Sequence, residues 1–546
     1  MILWATAILA AGVAHAGPGC DRCHPAQAAA FTPSQHAHAF HLFDSKRDPK
    51  PPHLPAAPFG VIGVAPLQQL VVRAEGGRFQ VFDPAYDMAG RRFFSIFGDT
   101  AESRPRPGDW GHFTGRGMTW NAQCAFCHMT DLRRNYAADA DRYQTTWSAA
   151  GLDCTVCHGT RHAERPADAC LACHTRREDL TDTFRPGEPF EDHYRLLLAD
   201  QPDLYWPNGR AKDEVFEGGS LALSRMGQAG VTCLDCHDPH TGRVRTGSPN
   251  QDDTLCLGCH AAPGRRGAPA IAPAEHTHHP AGSPGARCVN CHMPAQTYMG
   301  VDLRRDHGFT SPDPRLALEV GLPDACIDCH LDHPPTWSAE AAERWYGAAL
   351  ARPARQRTQL VARAAAGDAT VAPRLATALD AETNAAWKAS LAGLAAPYAE
   401  SPEVDAALRR ALSNPDARIR AAAIRSLARM PSAREKLVAL RHDPARAVRL
   451  AADWATRTTL ATDPAAHAEV VAWLAVSADQ PVGALRQSEM AVVERRFDAA
   501  IAWAKKAVAW DPSLPSFHTL ARALAAAGRR SEAEAALAAG AKAGRR

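Results

Sequence analysis

The spacing of hydrophobic residues divides the chain into two parts with different predicted structures. In residues 17–340 the apolar runs are short and interrupted by Pro and Gly, which is typical of loops, turns and short helices. One exception is a pair of strand-like runs, LQQLVVRA and FQVFDP, separated by Glu75-Gly76-Gly77-Arg78, which predicts a β-hairpin at about 67–83. After about residue 340, Ala, Arg and Leu recur with helical periodicity. The pattern predicts a mainly α protein, with a loop-rich first domain that contains a small hairpin.

The helical part repeats itself at two periods. Amphipathic segments that begin at Asn414 and Asp443, each followed by Pro, lie 29 residues apart and resemble HEAT-type repeats. Segments from Glu494 and Gly528 lie 34 residues apart, which is the tetratricopeptide period. A plain helical bundle is the alternative to this solenoid-like arrangement. The predicted boundaries are 341–465 for the HEAT-like repeats and 466–546 for the tetratricopeptide-like repeats.

The N-terminus is typical of an export signal. Residues 2–14 are apolar or small, and Ala14-His15-Ala16 has the pattern of a signal-peptidase site. The run is shorter than the 20 or so apolar residues that span a bilayer, and charged residues interrupt every later apolar stretch. We therefore expect a signal peptide at 1–16 and a periplasmic or extracellular product without a transmembrane span. A buried N-terminal helix is the alternative. The net charge of +2 does not suggest a nucleic-acid partner.

Cysteine provides the chemical signal. The chain has 16 cysteines, and every one belongs to a Cys-x-x-Cys-His unit within residues 17–340. The cysteines are Cys20, Cys23, Cys124, Cys127, Cys154, Cys157, Cys170, Cys173, Cys233, Cys236, Cys256, Cys259, Cys288, Cys291, Cys326 and Cys329. The histidines that follow them are His24, His128, His158, His174, His237, His260, His292 and His330.

This spacing matches covalent haem attachment. Cysteines at i and i+3 lie on one side of a helical turn, so both thiols can add to the two vinyl groups at one edge of a haem. The histidine after the second cysteine then ligates the iron. Disulfides or zinc would also use cysteine pairs, but neither requires a histidine after every second cysteine. We therefore expect eight covalent haem c groups in an octahaem domain at 17–340.

An iron that only transfers electrons needs a second axial ligand. Thirteen further histidines lie between residues 17 and 340, a surplus over eight irons that favours bis-histidine ligation at most haems. The proposed distal ligands are His36, His112, His162, His193, His240, His276, His279 and His307. Pro239 stops the helical turn between His237 and His240, so we expect His240 to reach a neighbouring haem.

Several segments resemble known multihaem cytochromes. CDRCHPAQAAAFTPSQHAHAF, residues 20–40, resembles the opening of the tetrahaem cytochrome c family, in which a Ser-x-His segment supplies a distal ligand; Ser34-Gln35-His36 occupies that place here, and His38 is also available. VTCLDCHDPH and HTHHPAGSPGARCVNCHMP resemble doubled haem-motif proteins. A wider stretch resembles bacterial multihaem cytochromes that end in tetratricopeptide repeats. The resemblance implies haem binding and electron transfer. In its expected haem stacking the chain also resembles ammonia-forming nitrite reductases and octahaem hydroxylamine oxidoreductases. The nitrite reductases typically have a lysine in place of one proximal histidine, whereas all eight units here end in histidine, which argues against that assignment.

Three functions follow from this pattern. The first is an electron-transfer chain of bis-histidine haems, with a helical tail that docks redox partner proteins, such as other cytochromes or a membrane-bound complex. The second is a multihaem oxidoreductase that acts on a small nitrogen or sulfur compound at one five-coordinate haem. The third is a subunit of an extracellular cytochrome polymer. The histidine surplus favours the first. We also expect the tail to fold as a separate unit, since it contains no cysteine and can bury its own apolar faces.

Overall fold

The computed structural model describes residues 19–51, 53–54, 58–98, 105–107, 109–159, 166–248 and 250–543. The expected signal peptide therefore lies outside the described residues. No helix within the described ranges is long and apolar enough to cross a bilayer.

The first part of the described chain is built from short helices joined by turns and loops, as the Pro- and Gly-rich sequence predicts. Most of these helices have only one or two turns, and many hold a Cys-x-x-Cys-His unit. They are α1 Cys20–Cys23, α2 Pro25–Phe31, α3 Trp120–Gln123, α4 Ala125–His128, α5 Thr155–His158, α6 Pro166–Cys173, α7 Phe190–His193, α8 Phe216–Leu223, α9 Arg225–Gln228, α10 Cys233–Cys236, α11 Thr254–His260, α12 Pro273–Thr277, α13 Cys288–His292 and α14 Pro314–Val320.

Small antiparallel sheets complete this part. The strands are β1 Phe40–Leu42, β2 Pro58–Ile62, β3 Leu67–Arg73, β4 Phe79–Val81, β5 Ala85–Asp87, β6 Arg92–Phe94, β7 Met129–Thr130, β8 Tyr136–Ala137, β9 Arg142–Tyr143, β10 Ala149–Ala150, β11 Arg177–Asp179, β12 Tyr194–Leu196, β13 Ala295–Tyr298 and β14 Asp302–Arg305. β1–β6 form one sheet in the order β1-β2-β3-β5-β6, and β4 also pairs with β3. The predicted hairpin is confirmed as the β3–β4 pair.

The hairpin turn needs its glycines. Gly76 and Gly77 have φ of 68° and 71°, in the left-handed region that favours glycine. A Cβ on Gly77 would lie 2.2 Å from the carbonyl oxygen of Tyr143, so this turn packs against the backbone of β9. Beneath the sheet, Phe40, Phe79 and Trp120 form a buried aromatic cluster. The sheet therefore fixes the segment before the second haem motif, at Cys124.

The second part of the described chain, from Pro335 to Ala543, is helical. Consecutive and alternate helices pack on each other, notably α18 on α20, α20 on α22, and α24 through α27 in sequence. The helices are α15 Pro335–Tyr346, α16 Pro353–Ala365, α17 Ala372–Ala381, α18 Ala385–Leu394, α19 Pro402–Ala411, α20 Ala417–Leu427, α21 Arg434–Ala439, α22 Arg446–Ala455, α23 Pro464–Val476, α24 Pro481–Val493, α25 Phe497–Trp510, α26 Leu514–Ala526 and α27 Arg530–Ala543. The whole fold is mainly α and loop-rich, as predicted.

Part of the tail shares a hydrophobic core with the first part, whereas a second core, around Ala500 and Leu524, lies wholly within the tail. Leu198, Tyr205 and Leu223 from the first part belong to the same buried hydrophobic cluster as Leu375 and Trp387 from the tail. The indole nitrogen of Trp387 donates a hydrogen bond of 2.9 Å to the carbonyl of Leu223. Periodicity within the tail could not reveal this contact, because the apolar partners lie some 160 residues away in the sequence.

Polar contacts extend this interface along the tail. The Arg134 guanidinium lies 3.4 Å from the Asp479 carboxylate, and the Tyr143 hydroxyl donates to the same carboxylate at 3.1 Å. Further along, Lys506 donates to the carbonyl of Ala138 at 2.7 Å. The residues of the tail that make these contacts, from Trp387 to Lys506, lie in both predicted repeat regions. The tail therefore packs against the first part along much of the tail's length.

Candidate haem-binding sites

The haem motifs share one local conformation. In most of them the backbone N–H of the histidine donates to the carbonyl of the first cysteine, which closes a single helical turn; the pairs are His24 to Cys20, His158 to Cys154, His174 to Cys170, His237 to Cys233 and His330 to Cys326, at 2.8–3.0 Å. The eighth motif is a hydrogen-bonded turn outside any named helix. All sixteen cysteines are free thiols. Each turn therefore presents two thiols and one imidazole, which is the donor set that haem c attachment requires.

Five of the motif histidines face a second histidine ring among the described residues. The ring centroids are 6.0–6.4 Å apart in every case. The pairs are His174 with His36, His158 with His240, His237 with His307, His292 with His276, and His330 with His279. The ring of His333 lies equally close to His330, at 6.1 Å, but stacks on Trp337.

This separation is the one that an intervening haem iron requires. A first-row metal lies about 2 Å from each imidazole nitrogen, and each ring centre lies about 1 Å beyond its nitrogen, so two axial imidazoles place their centroids about 6 Å apart. Direct stacking would bring the rings closer, as it does for His333 and Trp337, whose centroids lie 4.2 Å apart. The five pairs therefore fit bis-histidine ligation of an iron between them.

Hydrogen bonds orient these imidazoles. The Nδ1 atoms of His128, His292 and His307 lie 2.8–3.0 Å from backbone carbonyl oxygens, at Ala39, Thr310 and Arg305. A carbonyl can only accept, so Nδ1 carries the proton and Nε2 keeps the lone pair that binds a metal. Burial lowers the pKa of His36, His237, His276 and His292, which favours the neutral, ligating form; the pKa of His128 is lowered by burial in the same way.

His174 has a charged partner instead. Its Nδ1 lies 3.2 Å from the Glu217 carboxylate, and this hydrogen bond raises the pKa of His174. The same contact contributes to lowering the pKa of Glu217 to about 2, although burial of the carboxyl opposes this shift. A carboxylate that accepts the Nδ1 proton makes the imidazole a more basic metal ligand.

Other predicted distal histidines are not brought to a motif histidine. His193 is buried, and its two ring nitrogens contact Thr181 at 2.6 Å and Glu188 at 3.0 Å. His112 contacts Thr114 at 2.7 Å through Nδ1 and packs against Phe113. His162 lies outside the described residues. Patterns in the sequence did not separate these histidines from the facing ones, because side-chain orientation depends on the fold.

Cysteines of different motifs also approach one another. The Cys127 thiol lies 4.0 Å from the carbonyl oxygen of Cys173, in the fourth motif. The helices agree with this arrangement, since α6 contacts both α5 and α10. The attachment turns therefore lie side by side, which allows neighbouring haems to be close.

The environment of the second motif is unusual. Burial raises the pKa of Cys124 to about 12, whereas a hydrogen bond with Cys173 lowers the pKa of Cys127 to about 7. The Arg177 guanidinium lies near Cys127 and over the rings of Phe126 and Tyr194, at 4.9 and 4.3 Å. A buried cation therefore lies beside this attachment turn.

A narrow cleft of about 20 Å³ adjoins His307. Its lining includes Arg210, Glu214, Tyr298, Arg304 and His307. The Nε of Arg210 is buried without a hydrogen-bond partner among the described residues. Arg304 is paired with Glu214 and Asp302, and Arg210 donates to the carbonyl oxygen of Pro323.

Comparisons with known proteins agree with the motif chemistry. A family model for the doubled CXXCH motif matches residues 227–264, which contain the fifth and sixth haem motifs. No curated protein matches the chain. A solved structure described as the crystal structure of outer cell wall cytochrome OcwA is similar, with 17% sequence identity and a TM-score of 0.44, over 75% of this chain and 98% of that chain. The motif match supports covalent haem c in a multihaem cytochrome.

Proposed function

We propose that this chain transfers electrons through eight covalently bound haem c groups. The observation that supports it best is the set of five facing histidine pairs, because their separation suits an iron held by two imidazoles. An iron with both axial positions filled by protein exchanges electrons without binding substrate. The proposed distal ligands are His36, His240, His276, His279 and His307, while His112 and His193 are not retained because other groups engage them.

The remaining parts of the proposal extend this function. Export through a signal at residues 1–16 would deliver the chain to the periplasm or cell exterior, where haem c attachment takes place and redox partner proteins are available. The tail, with HEAT-like repeats at 341–465 and tetratricopeptide-like repeats at 466–546, would hold the haem region together in addition to any docking role. Its shared core with the first part supports this structural role. Assembly into an oligomer is compatible with the proposal.

The experiment that tests it is a haem count on the full chain, produced by export in a host with haem c maturation machinery. The intact mass should exceed that of the mature apoprotein by eight haem masses, and acid–organic extraction should leave the haem on the polypeptide. Electron paramagnetic resonance of the oxidised protein should show at least five low-spin haems. Six or fewer haems in fully matured protein, or high-spin signals from most haems, would overturn the proposal.

One observation favours the enzymatic alternative as a second candidate. Within the described ranges, the ring of His128 faces no other histidine, although its Nδ1 contact leaves Nε2 free for a metal. A haem at this motif with no protein ligand opposite His128 would have the open position that a reaction with a small molecule requires.

A further inference from the structure

Two of the facing histidine pairs draw on one short segment of chain. His276 faces His292 at 6.0 Å, and His279, three residues later, faces His330 at 6.1 Å. This distal segment, residues 276–279, therefore presents imidazoles to the seventh and eighth haem motifs. Each imidazole is attached to the backbone through only two rotatable bonds. A contact that fixes the backbone of the distal segment therefore fixes two proposed axial ligands at once.

The distal segment has an unusual backbone conformation. Helix α12 ends at Thr277, and the next residue, His278, has φ of 54° and ψ of 26°. This is the left-handed region, which is uncommon for residues other than glycine. The turn at His278 allows His276 and His279 to face histidines of different motifs. Residues in such conformations persist where surrounding contacts hold them, so the distal segment depends on contacts with other elements.

Helix α15, the first helix of the second part, supplies such contacts at its C-terminal end. The hydroxyl of Tyr346 donates a hydrogen bond of 2.7 Å to the carbonyl oxygen of His276. This carbonyl lies in the last turn of α12, where backbone carbonyls lack a partner within the helix. The ring of Trp345 stacks on the ring of His278, with 4.5 Å between the centroids and 12° between the planes. Two consecutive residues of α15 thus hold the distal segment at two positions.

Helix α15 is also fixed to the attachment turn of the eighth motif. The Ser338 hydroxyl donates to the Asp324 carboxylate at 2.5 Å, and the other oxygen of this carboxylate accepts from the backbone N–H of Cys326 at 2.9 Å. The ring of Trp337 lies 4.8 Å from the ring of His330, centroid to centroid. One helix therefore connects the eighth attachment turn to the backbone of the distal segment.

We propose that Tyr346 is a positioning residue for haem ligation, which holds His276 against the iron of the seventh haem and, through the distal segment, orients His279 toward the eighth. This inference rests on the proposed function, in which both histidines are distal ligands. The ring planes of His276 and His292 lie 12° apart. Those of His279 and His330 lie 37° apart. The angle between axial imidazoles is therefore the quantity that a change at Tyr346 should alter.

Tyr346→Phe in the full, haem-loaded chain tests this inference, because it removes the hydroxyl and keeps the ring. Electron paramagnetic resonance of the oxidised variant should show shifted g values for the haem at His292, since the g values of a low-spin haem depend on the angle between its axial imidazole planes. The reduced variant should bind CO at this haem about fivefold more tightly than the wild type, because the loss of one hydrogen bond makes His276 easier to displace.

Two further variants are controls. His276→Ala identifies the affected haem, because it removes the distal ligand itself and should convert one low-spin haem to high spin. Tyr398→Phe is the matched control, since the Tyr398 hydroxyl also donates to a backbone carbonyl, that of Ala364 at 2.9 Å, but within the helical tail. Tyr398→Phe should leave the g values and the CO affinity at their wild-type values.

The outcomes separate this inference from the proposed function. If the peptide that contains Cys288 and Cys291 has no haem by mass spectrometry, or if His276→Ala leaves every haem low-spin, the proposed ligation itself fails. If His276→Ala opens one haem but Tyr346→Phe keeps the wild-type g values and CO affinity, the positioning inference fails alone. It also fails alone if Tyr398→Phe changes both quantities equally.

A structure of the haem-loaded wild type decides the question if Tyr346→Phe does not mature. In cryo-electron microscopy, a Tyr346 hydroxyl within hydrogen-bond distance of the His276 carbonyl, with the His276 imidazole on the iron, would support the inference. A Tyr346 side chain directed away from that carbonyl while His276 remains on the iron would overturn it.

Discussion

The imidazole rings of His158 and His240 lie 6.2 Å apart, centroid to centroid, with only 14° between their planes. His240 belongs to the same Cys-His-Asp-Pro-His segment as His237, yet it faces the histidine of a motif some 80 residues earlier in the sequence. His237 in turn faces His307. One short segment thus presents two imidazoles to two different histidines, which brings the third motif and His307 to the fifth motif.

Replacing His240 should open one axial position. We expect His240→Ala to convert one low-spin haem to high spin and to add one CO-binding site per chain, because the partner of His158 is removed. Electron paramagnetic resonance and CO titration would measure both changes. His53→Ala, at an exposed histidine, is the control and should leave the spectra unchanged. An unchanged spin state in His240→Ala would show that His240 is not a ligand.

Glu217 should set the reduction potential of the haem attached at the fourth motif, which ends at His174. Its carboxylate accepts a hydrogen bond from Nδ1 of His174 at 3.2 Å, which makes the imidazole a more basic ligand and favours the oxidised iron. Glu217→Gln should therefore raise the reduction potential of this haem. A tenfold loss of the preference of His174 for oxidised over reduced iron corresponds to about 60 mV. Spectroelectrochemical titration would detect one shifted component. Glu214→Gln provides a nearby control. An equal shift of the reduction potential in both variants would show that the loss of one negative charge, and not the hydrogen bond to His174, causes the effect.

The tail should be essential for the stability of the haem region. Trp387 is 2% exposed, packs in the cluster that includes Leu198 and Leu223, and donates to the Leu223 carbonyl. Trp387→Ala should lower the free energy of unfolding by about 3–5 kcal/mol, the usual range for a large buried aromatic. Chemical denaturation monitored at the haem absorption bands would measure it.

A control and a truncation extend the test. Trp345→Ala, at a residue that is 40% exposed, should lower the free energy of unfolding by less than half as much as Trp387→Ala. A fragment that ends at Glu340 should be unstable or lose haem, because Leu198, Tyr205 and Leu223 would lose their partners in the tail. A fragment with the full haem complement and unchanged potentials would instead restore the view that the tail folds separately.

One buried carboxyl in the tail should make stability depend on pH. Asp453 is fully buried with both carboxylate oxygens lacking hydrogen-bond partners among the described residues, and burial raises its pKa to about 7 despite Arg441 at 3.5 Å. Because the pKa in the folded protein lies above the ordinary value of 3.8, stability is greatest below about pH 4 and decreases as pH rises to about 7. The full loss is at most about 4 kcal/mol, at 1.36 kcal/mol per pKa unit.

Asp453→Asn should remove this dependence. The amide cannot ionise, so the difference in free energy of unfolding between pH 5 and pH 8 should shrink relative to the wild type. Asp443→Asn is the contrasting variant, since the Asp443 carboxylate is paired with Arg420 at 2.7 Å and its loss should destabilise the protein at neutral pH. An Asp453→Asn variant with the pH profile of the wild type would show that Asp453 ionises normally in the folded protein.

The sequence by itself determined the chemistry and the fold class. The Cys-x-x-Cys-His spacing depends on a single helical turn, so the turn from Cys233 to His237 could be predicted without knowing what surrounds it. The hairpin between Leu67 and Val81 was also predictable, because alternation and a glycine turn act over a few residues. The helices of the tail followed from local periodicity in the same way.

Only the tertiary structure decided which histidines meet and what the tail covers. His193 and His307 are both histidines of the loop-rich part, yet the fold directs one to Thr181 and Glu188 and the other to His237. The hydrogen bond between Trp387 and Leu223 and the contact between Cys127 and Cys173 likewise join residues far apart in the sequence. Such contacts depend on how separate elements pack together, whereas sequence periodicity reports only which face of one element is apolar.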